Sequence, residues 1–253
     1  MNPPAWPLEP DLIPYSATQT LAARRLLVLA PHPDDEVRGC GGLIASMLAH
    51  GADVQVVIVS DGAQGGDATQ RERESIAAAQ VLAAGAGTLR PVFWHLPDRG
   101  LADVVDLAPR LTQLIMSCGA DCLLLPSPFE VHPDHRALCA AGLQGLRDAN
   151  GPAELLFYEI GQPLMPNVLI DISHQLERKR AALRCFSSQL AVQAYDDQVL
   201  GLNRFRAYTL GPAVTHAEAY QRVDVVALRA GLAGVLQEIG ARLRGHFGNL
   251  LQG

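Results

Sequence analysis

Aromatic residues make up only 5% of this 253-residue sequence and charged residues only 18%, although 49% of the residues are hydrophobic. The apolar fraction is therefore mostly alanine, leucine and valine, a mixture typical of helices packed on a parallel sheet rather than of an aromatic-rich β-sandwich. A chain of this length and composition can bury a large core, which argues against intrinsic disorder. We expect one domain of the α/β class.

Positive charge is also scarce, since 20 Lys and Arg residues stand against 26 Asp and Glu, for a formal net charge of -6. A protein whose main task is to bind nucleic acid or an acidic membrane needs a basic face. We therefore expect no nucleic-acid partner and a small molecule as the main ligand.

Long apolar runs are absent as well: none approaches the ~18 residues that a membrane-spanning helix requires. The first residues have neither the basic stretch nor the apolar segment of a signal peptide. The five cysteines are odd in number and scattered, which is typical of reduced core residues and not of a disulfide framework. These absences predict a soluble, cytoplasmic protein without membrane insertion.

Strand-like apolar runs and helix-like segments alternate along the chain, which predicts βαβ units. The expected fold is a Rossmann-like, doubly wound, mostly parallel sheet flanked by helices, in a single domain. We place an extended leader at residues 1–24, the domain at 25–222, and a C-terminal amphipathic helix at 223–253. That helix would pack on the domain or on a sister subunit, the second case giving a homo-oligomer.

Two further helix starts are expected in the last third of the domain. Ser173 can cap a helix that runs towards Phe186. Thr215 and Glu218 have the spacing of a capping box around His216.

Acidic side chains and a histidine crowd together directly after the first strand, in Pro31-His32-Pro33-Asp34-Asp35-Glu36. Such crowding of like charge is costly unless a cation is present, and His32 with Asp35 would suit a divalent metal ion. Taken alone, the cluster is equally consistent with a solvated acidic turn.

A second cluster, Phe129-Glu130-Val131-His132-Pro133-Asp134-His135, follows the fourth strand. Pro133 suits the first turn of a helix, which would bring His132 and His135 to nearly the same side. In a sheet ordered 3-2-1-4-5, the first and fourth strands are neighbours and flank the switch point where ligands bind. The two clusters should therefore meet in one metal site.

These two motifs resemble the signatures of the LmbE-like or PIG-L zinc deacetylases, which remove acetyl from N-acetylglucosaminyl groups and related amides. The resemblance extends from about Leu26 to about Tyr220. It implies that His32, Asp35 and His135 bind Zn²⁺, and that Asp34 is the general base. It further implies that a protonated His132 is the electrostatic catalyst or acid and that Asp134 orients a histidine. Whether Asp34 or His132 protonates the leaving amine stays open.

Substrate contacts follow from the same resemblance. In the family, an arginine that opens the second helix and the aspartate of an Asp-x-Gly turn hold sugar hydroxyls, which implies Arg71 and Asp98 here. For Arg71, a solvated ion pair with Glu72 or Glu74 is an equal alternative. Some family members have a tyrosine two residues before the first histidine of the second motif, where this chain has Glu130, and we include Glu130 among the expected substrate contacts.

The expected function is hydrolysis of the acetamido group of an N-acetylglucosamine-type sugar or glycoconjugate to free amine and acetate. Three protein ligands would leave an open position on zinc for water. The ligand set would also accept Fe²⁺, Co²⁺ or Mn²⁺. Two alternatives stay open: a related zinc amidase that cleaves another N-acyl group, and a non-catalytic α/β protein that binds metal or sugar.

Overall fold

A computed structural model of the chain describes residues 9–149, 151 and 154–230. It contains a seven-stranded sheet flanked by helices. The strands are β1 (Arg25–Ala30), β2 (Asp53–Ser60), β3 (Val92–Leu96), β4 (Cys122–Pro126), β5 (Glu154–Tyr158), β6 (Val168–Asp171) and β7 (Ala217–Asp224). The helices are α1 (Glu9–Leu12), α2 (Asp35–Ala49), α3 (Ala68–Ala83), α4 (Leu107–Cys118), α5 (Pro133–Asp148), α6 (Leu176–Leu183), α7 (Ser187–Leu190), α8 (Tyr195–Arg206) and α9 (Val225–Ala230).

The strands are ordered β3-β2-β1-β4-β5-β7-β6. The first five are parallel, which confirms the order 3-2-1-4-5 expected from the sequence. Strand β7 then pairs antiparallel with both β5 and β6. Strand β1 lies in the middle of the parallel part, with β2 on one side and β4 on the other.

Two hydrophobic cores cover the two faces of the sheet. Because successive side chains of a strand point to opposite faces, Leu26 and Val28 enter one core, whereas Leu27 and Leu29 enter the other. Residues of α2, α3 and α6 belong to the first core, and residues of α4 and α5 to the second. Burial on both faces explains why β1 reads as an uninterrupted apolar run.

The two helix starts expected in the last third of the domain need correction. Thr215 and Glu218 do not open a helix, because Ala217–Asp224 is strand β7. Ser173 begins a short 3-10 turn that leads into α6, and its hydroxyl accepts from the Thr215 amide at 2.9 Å instead of capping the helix. In both places tertiary pairing overrides a local capping preference.

The terminal segments are described only in part. Within the expected leader, α1 forms one turn and Thr18 pairs with Ile170 at the edge of the sheet. Strand β7 continues to Asp224, past the boundary expected at 222/223. The expected C-terminal helix starts at Val225, and residues 231–253 lie outside the described residues. Within the described ranges, no helix combines the length and apolarity needed to span a membrane.

Helix α2 packs unusually close to the sheet because of its glycines. A Cβ atom added at Gly39 would lie 2.2 Å from the ring of Tyr158, and one at Gly42 would lie 2.4 Å from Ile172. A larger side chain would push the helix away from β5 at Gly39 and away from the segment after β6 at Gly42. Since α2 begins inside the first acidic motif, these glycines help to set the position of that motif.

A buried ion pair clamps the same helix. Lys179 is the only lysine of the sequence and is fully buried. Its Nζ donates to Glu218 at 2.7 Å and to the Arg38 carbonyl at 2.9 Å. The carboxylate of Glu218 also accepts from the amides of Gly42 and Leu43, at 2.7 and 2.8 Å.

These contacts involve backbone amides and carbonyls in the middle of α2. In a regular helix the amides of Gly42 and Leu43 donate to the carbonyls four residues earlier, those of Arg38 and Gly39. Here the Arg38 carbonyl accepts from Lys179, and the Gly39 carbonyl accepts from the Tyr220 hydroxyl at 3.3 Å. Side chains from α6 and β7 thus bond directly to the middle of α2.

Replacement of Glu218 should destabilise the protein strongly. Glu218→Ala leaves a buried ammonium group and two helix amides without their acceptor, so we expect the free energy of unfolding to fall by about 3–5 kcal/mol. Glu154→Ala is the matched control, since Glu154 pairs with Arg222 on the neighbouring strand through partly exposed side chains, and its loss should cost about 0–1 kcal/mol. Urea unfolding followed by circular dichroism measures both. Equal losses of unfolding free energy in the two variants would show that the Lys179–Glu218 pair contributes no more to stability than the partly exposed pair.

Candidate metal centre and active site

The two motifs meet at the carboxyl ends of two neighbouring strands. The loop with His32 and Asp34 follows β1, and the loop with Glu130 and His132 follows β4. Strands β1 and β4 are adjacent and parallel, so both loops leave the sheet at the same edge. This confirms the meeting of the two motifs expected at the switch point of the sheet.

Three potential ligand atoms form a tight triangle. Oδ2 of Asp35 lies 3.1 Å from Nδ1 of His32 and 3.2 Å from Nε2 of His135. The two histidine nitrogens are 3.3 Å apart. All three residues are buried.

The spacing of this triangle suits a metal ion. Ligand atoms about 2.1 Å from a tetrahedrally coordinated ion lie about 3.4 Å from one another. Two other groups of potential donors share His32, one with His132 and His135 and the other with Asp98 and Asp134, and the donor atoms of each group lie within 4.8 Å of one another. We favour the Asp35 triangle because its three distances, 3.1, 3.2 and 3.3 Å, are all close to the tetrahedral spacing.

The electrostatics of the triangle favour a positive charge. Burial lowers the pKa of His32, but hydrogen bonds to Asp134, Asp35 and Asp98 outweigh it and raise the pKa to about 11. Burial likewise opposes protonation of His135, yet Asp35 and Glu130 raise its pKa to about 9. The carboxylates therefore hold protons on the rings when no other cation is present. A divalent ion would take the place of those protons.

Glu130 holds the outer nitrogen of His135. Its Oε2 lies 3.3 Å from Nδ1 of that ring. The carboxylate also accepts backbone amides of Ile160, Gly161 and Gln162, and only 1% of the residue is exposed. Glu130 was expected as a substrate contact; it lines the cavity, and these four partners engage its carboxylate.

Two aspartates hold the outer nitrogen of His32. Nε2 lies 3.1 Å from Asp134 and 3.2 Å from Asp98. Asp134 also accepts the amides of Arg99 and Leu101, at 2.6 and 3.2 Å. The histidine that Asp134 contacts through its carboxylate is therefore His32.

Asp34 lies beside the triangle in a strained backbone conformation. Its φ of 118° falls in the left-handed region, which non-glycine residues rarely adopt. The carboxylate of buried Glu36 holds this conformation by accepting the Asp34 amide at 3.0 Å. Burial and the neighbouring Asp35 raise the pKa of Asp34, while Arg38 and Arg71 lower it.

Arg71 is buried and points into the first motif. Its guanidinium donates to the Pro33 carbonyl at 2.6 Å and to the Gly62 carbonyl at 2.9 Å, and lies 3.5 Å from the Asp34 carboxylate. Glu74 bonds instead to Gln70, Ser187 and Ser188. The alternative of a solvated pair between Arg71 and Glu74 or Glu72 is therefore wrong.

His132 sits at the N-cap of α5, with its ring 4.5 Å from that of His32. Its Nδ1 accepts the amide of Asp134 at 3.2 Å, so this nitrogen carries no proton. Burial and the two neighbouring histidines lower the pKa of His132. The sequence leads us to expect a protonated ring at this position; with Nδ1 accepting an amide, Nε2 is the ring nitrogen left to act as a donor.

A cavity of about 370 Å³ opens above these groups. His132, Asp98 and Arg71 line it, together with Arg38, Tyr195 and Gln189. The sequence interpretation missed the last three. The position of Arg38 could have been predicted, because it lies three residues after Asp35 on the same helix. Tyr195 and Gln189 come from distant helices, and no spacing in the sequence relates them to the two motifs.

Removal of Asp35 should abolish tight metal binding. Asp35→Ala deletes the oxygen shared by both histidines, so we expect metal affinity to fall by more than the ~10–100-fold typical of changing an outer partner. His216→Ala is the control, since His216 is also buried but bonds to Thr215 away from the triangle. Elemental analysis after gel filtration in metal-free buffer measures the content. Full retention by Asp35→Ala together with loss in His132→Ala would assign the metal to the three histidines instead.

Comparison with known proteins agrees with this geometry. Residues 27–146 match the family model described as PIG-L: GlcNAc-PI de-N-acetylase. The chain is 26% identical to the diacetylchitobiose deacetylase of Thermococcus kodakarensis, over 68% of this chain and 73% of the relative. It is 28% identical to the 1D-myo-inositol 2-acetamido-2-deoxy-alpha-D-glucopyranoside deacetylase of Mycobacteroides abscessus, over 68% of this chain and 84% of the relative.

A solved structure supports the fold. The conserved protein TT1542 of Thermus thermophilus superposes with a TM-score of 0.69 at 27% identity, covering 78% of this chain and 93% of that one. The family match contains both histidine motifs and the strands β1 and β4 that bring them together. Over residues 27–146, this chain is similar to the PIG-L family.

Proposed function

We propose that this protein is a zinc-dependent deacetylase that hydrolyses the acetamido group of an N-acetylglucosamine-type sugar or glycoconjugate to free amine and acetate. The observation that carries the proposal is the triangle of His32, Asp35 and His135 with an uncommitted carboxylate, Asp34, beside it. Two deacetylases of acetamido sugars among the relatives support the substrate class. Two imidazoles and a carboxylate suit zinc. We expect the enzyme in the cytoplasm.

His32, Asp35 and His135 would hold the ion, which when bound polarises the amide carbonyl and acidifies a water. Asp34 acts as the general base that takes the proton of the attacking water. Arg71, 3.5 Å away, stabilises the ionised form of Asp34 and holds its loop through the Pro33 carbonyl. We therefore assign Arg71 a positioning role. Of the two expected sugar contacts, Arg71 and Asp98, we assign the sugar hydroxyl to Asp98, which lines the cavity wall.

His132 stabilises the oxygen that becomes negative during attack. With Nδ1 engaged by the Asp134 amide, its Nε2–H is the remaining donor, and an interaction that strengthens as charge develops lowers the barrier. A neutral imidazole is a weak acid, whereas Asp34 is a carboxylic acid once it has taken the proton from water. Asp34 therefore returns that proton to the leaving amine.

Acetate release distinguishes this function from the alternatives. Purified protein is supplied with zinc and assayed against N-acetylated sugars, nucleotide sugars and sugars with longer N-acyl groups, before and after chelation. We expect acetate from the N-acetylglucosamine derivatives and loss of activity on chelation. Preferred release of another acid would assign a related amidase, and stoichiometric metal without any turnover would assign a binding protein. Activity that survives complete removal of the metal would overturn the zinc proposal.

Asp34→Asn should separate catalysis from metal binding. Asparagine keeps the shape of the side chain and tolerates positive φ, but cannot accept a proton. We expect kcat to fall by about 10²–10⁴-fold with metal content unchanged. Asp103→Asn, at an exposed position of a 3-10 turn, is the control and should retain full activity. If Asp34→Asn loses its metal, Asp34 is a ligand and the assignment of the base fails.

Glu130→Gln tests the orienting role proposed for Glu130. The amide keeps an acceptor for the backbone groups but loses the negative charge that supports His135. We expect metal affinity to fall by about 10–100-fold, with KM for the sugar little changed once metal is saturating. Glu177→Gln, whose side chain is 80% exposed, is the matched control. A large rise in KM at saturating metal would instead indicate a direct contact between Glu130 and the substrate.

A further inference from the structure

Arg38 lies in the cavity wall, although nothing in the mechanism above uses it as a contact. It is three residues after Asp35 and four after Asp34, so it shares their face of helix α2. Both Arg38 and Tyr195 line the cavity above the metal triangle. The Arg38 side chain is 18% exposed, more than that of Asp34, Asp35 or Arg71.

The guanidinium of Arg38 is held in place without using up its donors. Its Cζ stacks 4.7 Å from the centre of the Tyr195 ring. The nearest carboxylate oxygens belong to Asp34 and Asp35, at 3.8 and 4.0 Å, which is beyond hydrogen-bond distance. Its Nε is buried and has no partner among the described residues.

Another buried arginine of the chain shows the contrast. Arg206 donates to both carboxylate oxygens of Glu159 and to the Leu164 carbonyl. Arg38 has the same planar fork of donors but no such set of acceptors among the residues that the structure describes. Moreover, Asp34 lies closer to Arg71 than to Arg38, and Asp35 belongs to the metal triangle. Arg38 is thus a partly exposed cation of this wall that lacks a carboxylate within hydrogen-bond distance among the described residues.

We propose that Arg38 and Tyr195 form a subsite for an anionic, oxygen-rich group, a phosphate or a carboxylate, that the substrate carries on its anomeric oxygen. This inference rests on the proposed function, which places the acetamido group at the metal triangle. The anomeric carbon is bonded to the carbon that carries the acetamido group, so its substituent is among the groups of the sugar nearest to the reacting amide, and Arg38 and Tyr195 line the same cavity. A guanidinium stacked on an aromatic ring is preorganised to bind such a group with two hydrogen bonds.

The test compares three substrates that differ only in this substituent. Zinc-loaded enzyme is assayed with N-acetylglucosamine 1-phosphate, with the carboxymethyl glycoside and with the neutral methyl glycoside, all of the same anomer. We expect higher kcat/KM for the charged substrates, and the larger of the two values identifies phosphate or carboxylate. In Arg38→Gln, the ratio of charged to neutral kcat/KM should fall by about 10-fold or more, the loss expected of one charge-assisted hydrogen bond. Arg38→Lys should retain part of the preference.

Control variants show whether the effect belongs to Arg38. Arg147→Gln makes the same change on the exposed surface of α5 and should leave the ratio at its wild-type value. Arg99→Gln removes an arginine from the side of the cavity where Asp98 and Asp134 lie. Equal loss of kcat/KM for all three substrates in Arg38→Gln, or loss of the preference in Arg99→Gln alone, would overturn the subsite.

The failure of this inference and the failure of the proposed function give different results. If the wild type deacetylates all three glycosides equally well, the subsite is wrong and the proposed function stands. If it deacetylates none, the proposed function is wrong for these sugars. Calorimetric titration with glucosamine 1-phosphate and methyl glucosaminide then decides the subsite without turnover. A charged-over-neutral affinity ratio that is equal in wild type and Arg38→Gln would refute it.

Discussion

Four carboxylates touch two imidazoles at the carboxyl ends of β1 and β4, and the cost of burying this charge governs the construction of the site. His32 contacts Asp35, Asp98 and Asp134, and His135 contacts Asp35 and Glu130. Buried like charges repel unless amides, protons or a metal ion compensate them. Backbone amides contact each of the four carboxylates, donated by His32, Gln64, Arg99, Leu101, Ile160, Gly161 and Gln162. These amides also fix the spacing of the ligand atoms before any ion binds.

The geometry of the site also depends on the position of helix α2, because Asp34, Asp35 and Arg38 all belong to its first turns or its cap. A shift of this helix would deform the triangle and move the Asp34 carboxylate. The glycines let the helix approach β5 and the adjoining elements, and the Lys179–Glu218 pair bonds to its middle. Lysine suits this position because its slim stem ends in a compact charge that reaches one carboxylate and one carbonyl. Stability and catalysis therefore depend on the same packing.

Several features could be predicted from the sequence because they depend on local chemistry and on simple topology. The uninterrupted run at β1 marks a strand buried on both faces, and the acidic turn after it needs a cation. Alternating strands and helices predict a doubly wound parallel sheet, and the order 3-2-1-4-5 common in such sheets brings the two motifs together, as observed. Strand β7 was missed because Glu218 imitates a helix cap, and only its pairing with β5 and β6 and its bond to Lys179 make it a strand.

The fold class, the meeting of the two motifs and the residue types suited to a metal ion could all be inferred from the order of residues, since each depends on periodicity or on neighbours along the chain. The partner of each side chain became known only from the folded domain. Glu130 is saturated by amides from a distant loop, and Arg71 turns to carbonyls instead of to Glu74. Tyr195 meets Arg38 only after the whole domain has folded. These contacts depend on distance and burial in the folded domain, and neither quantity can be calculated from the spacing of residues along the chain.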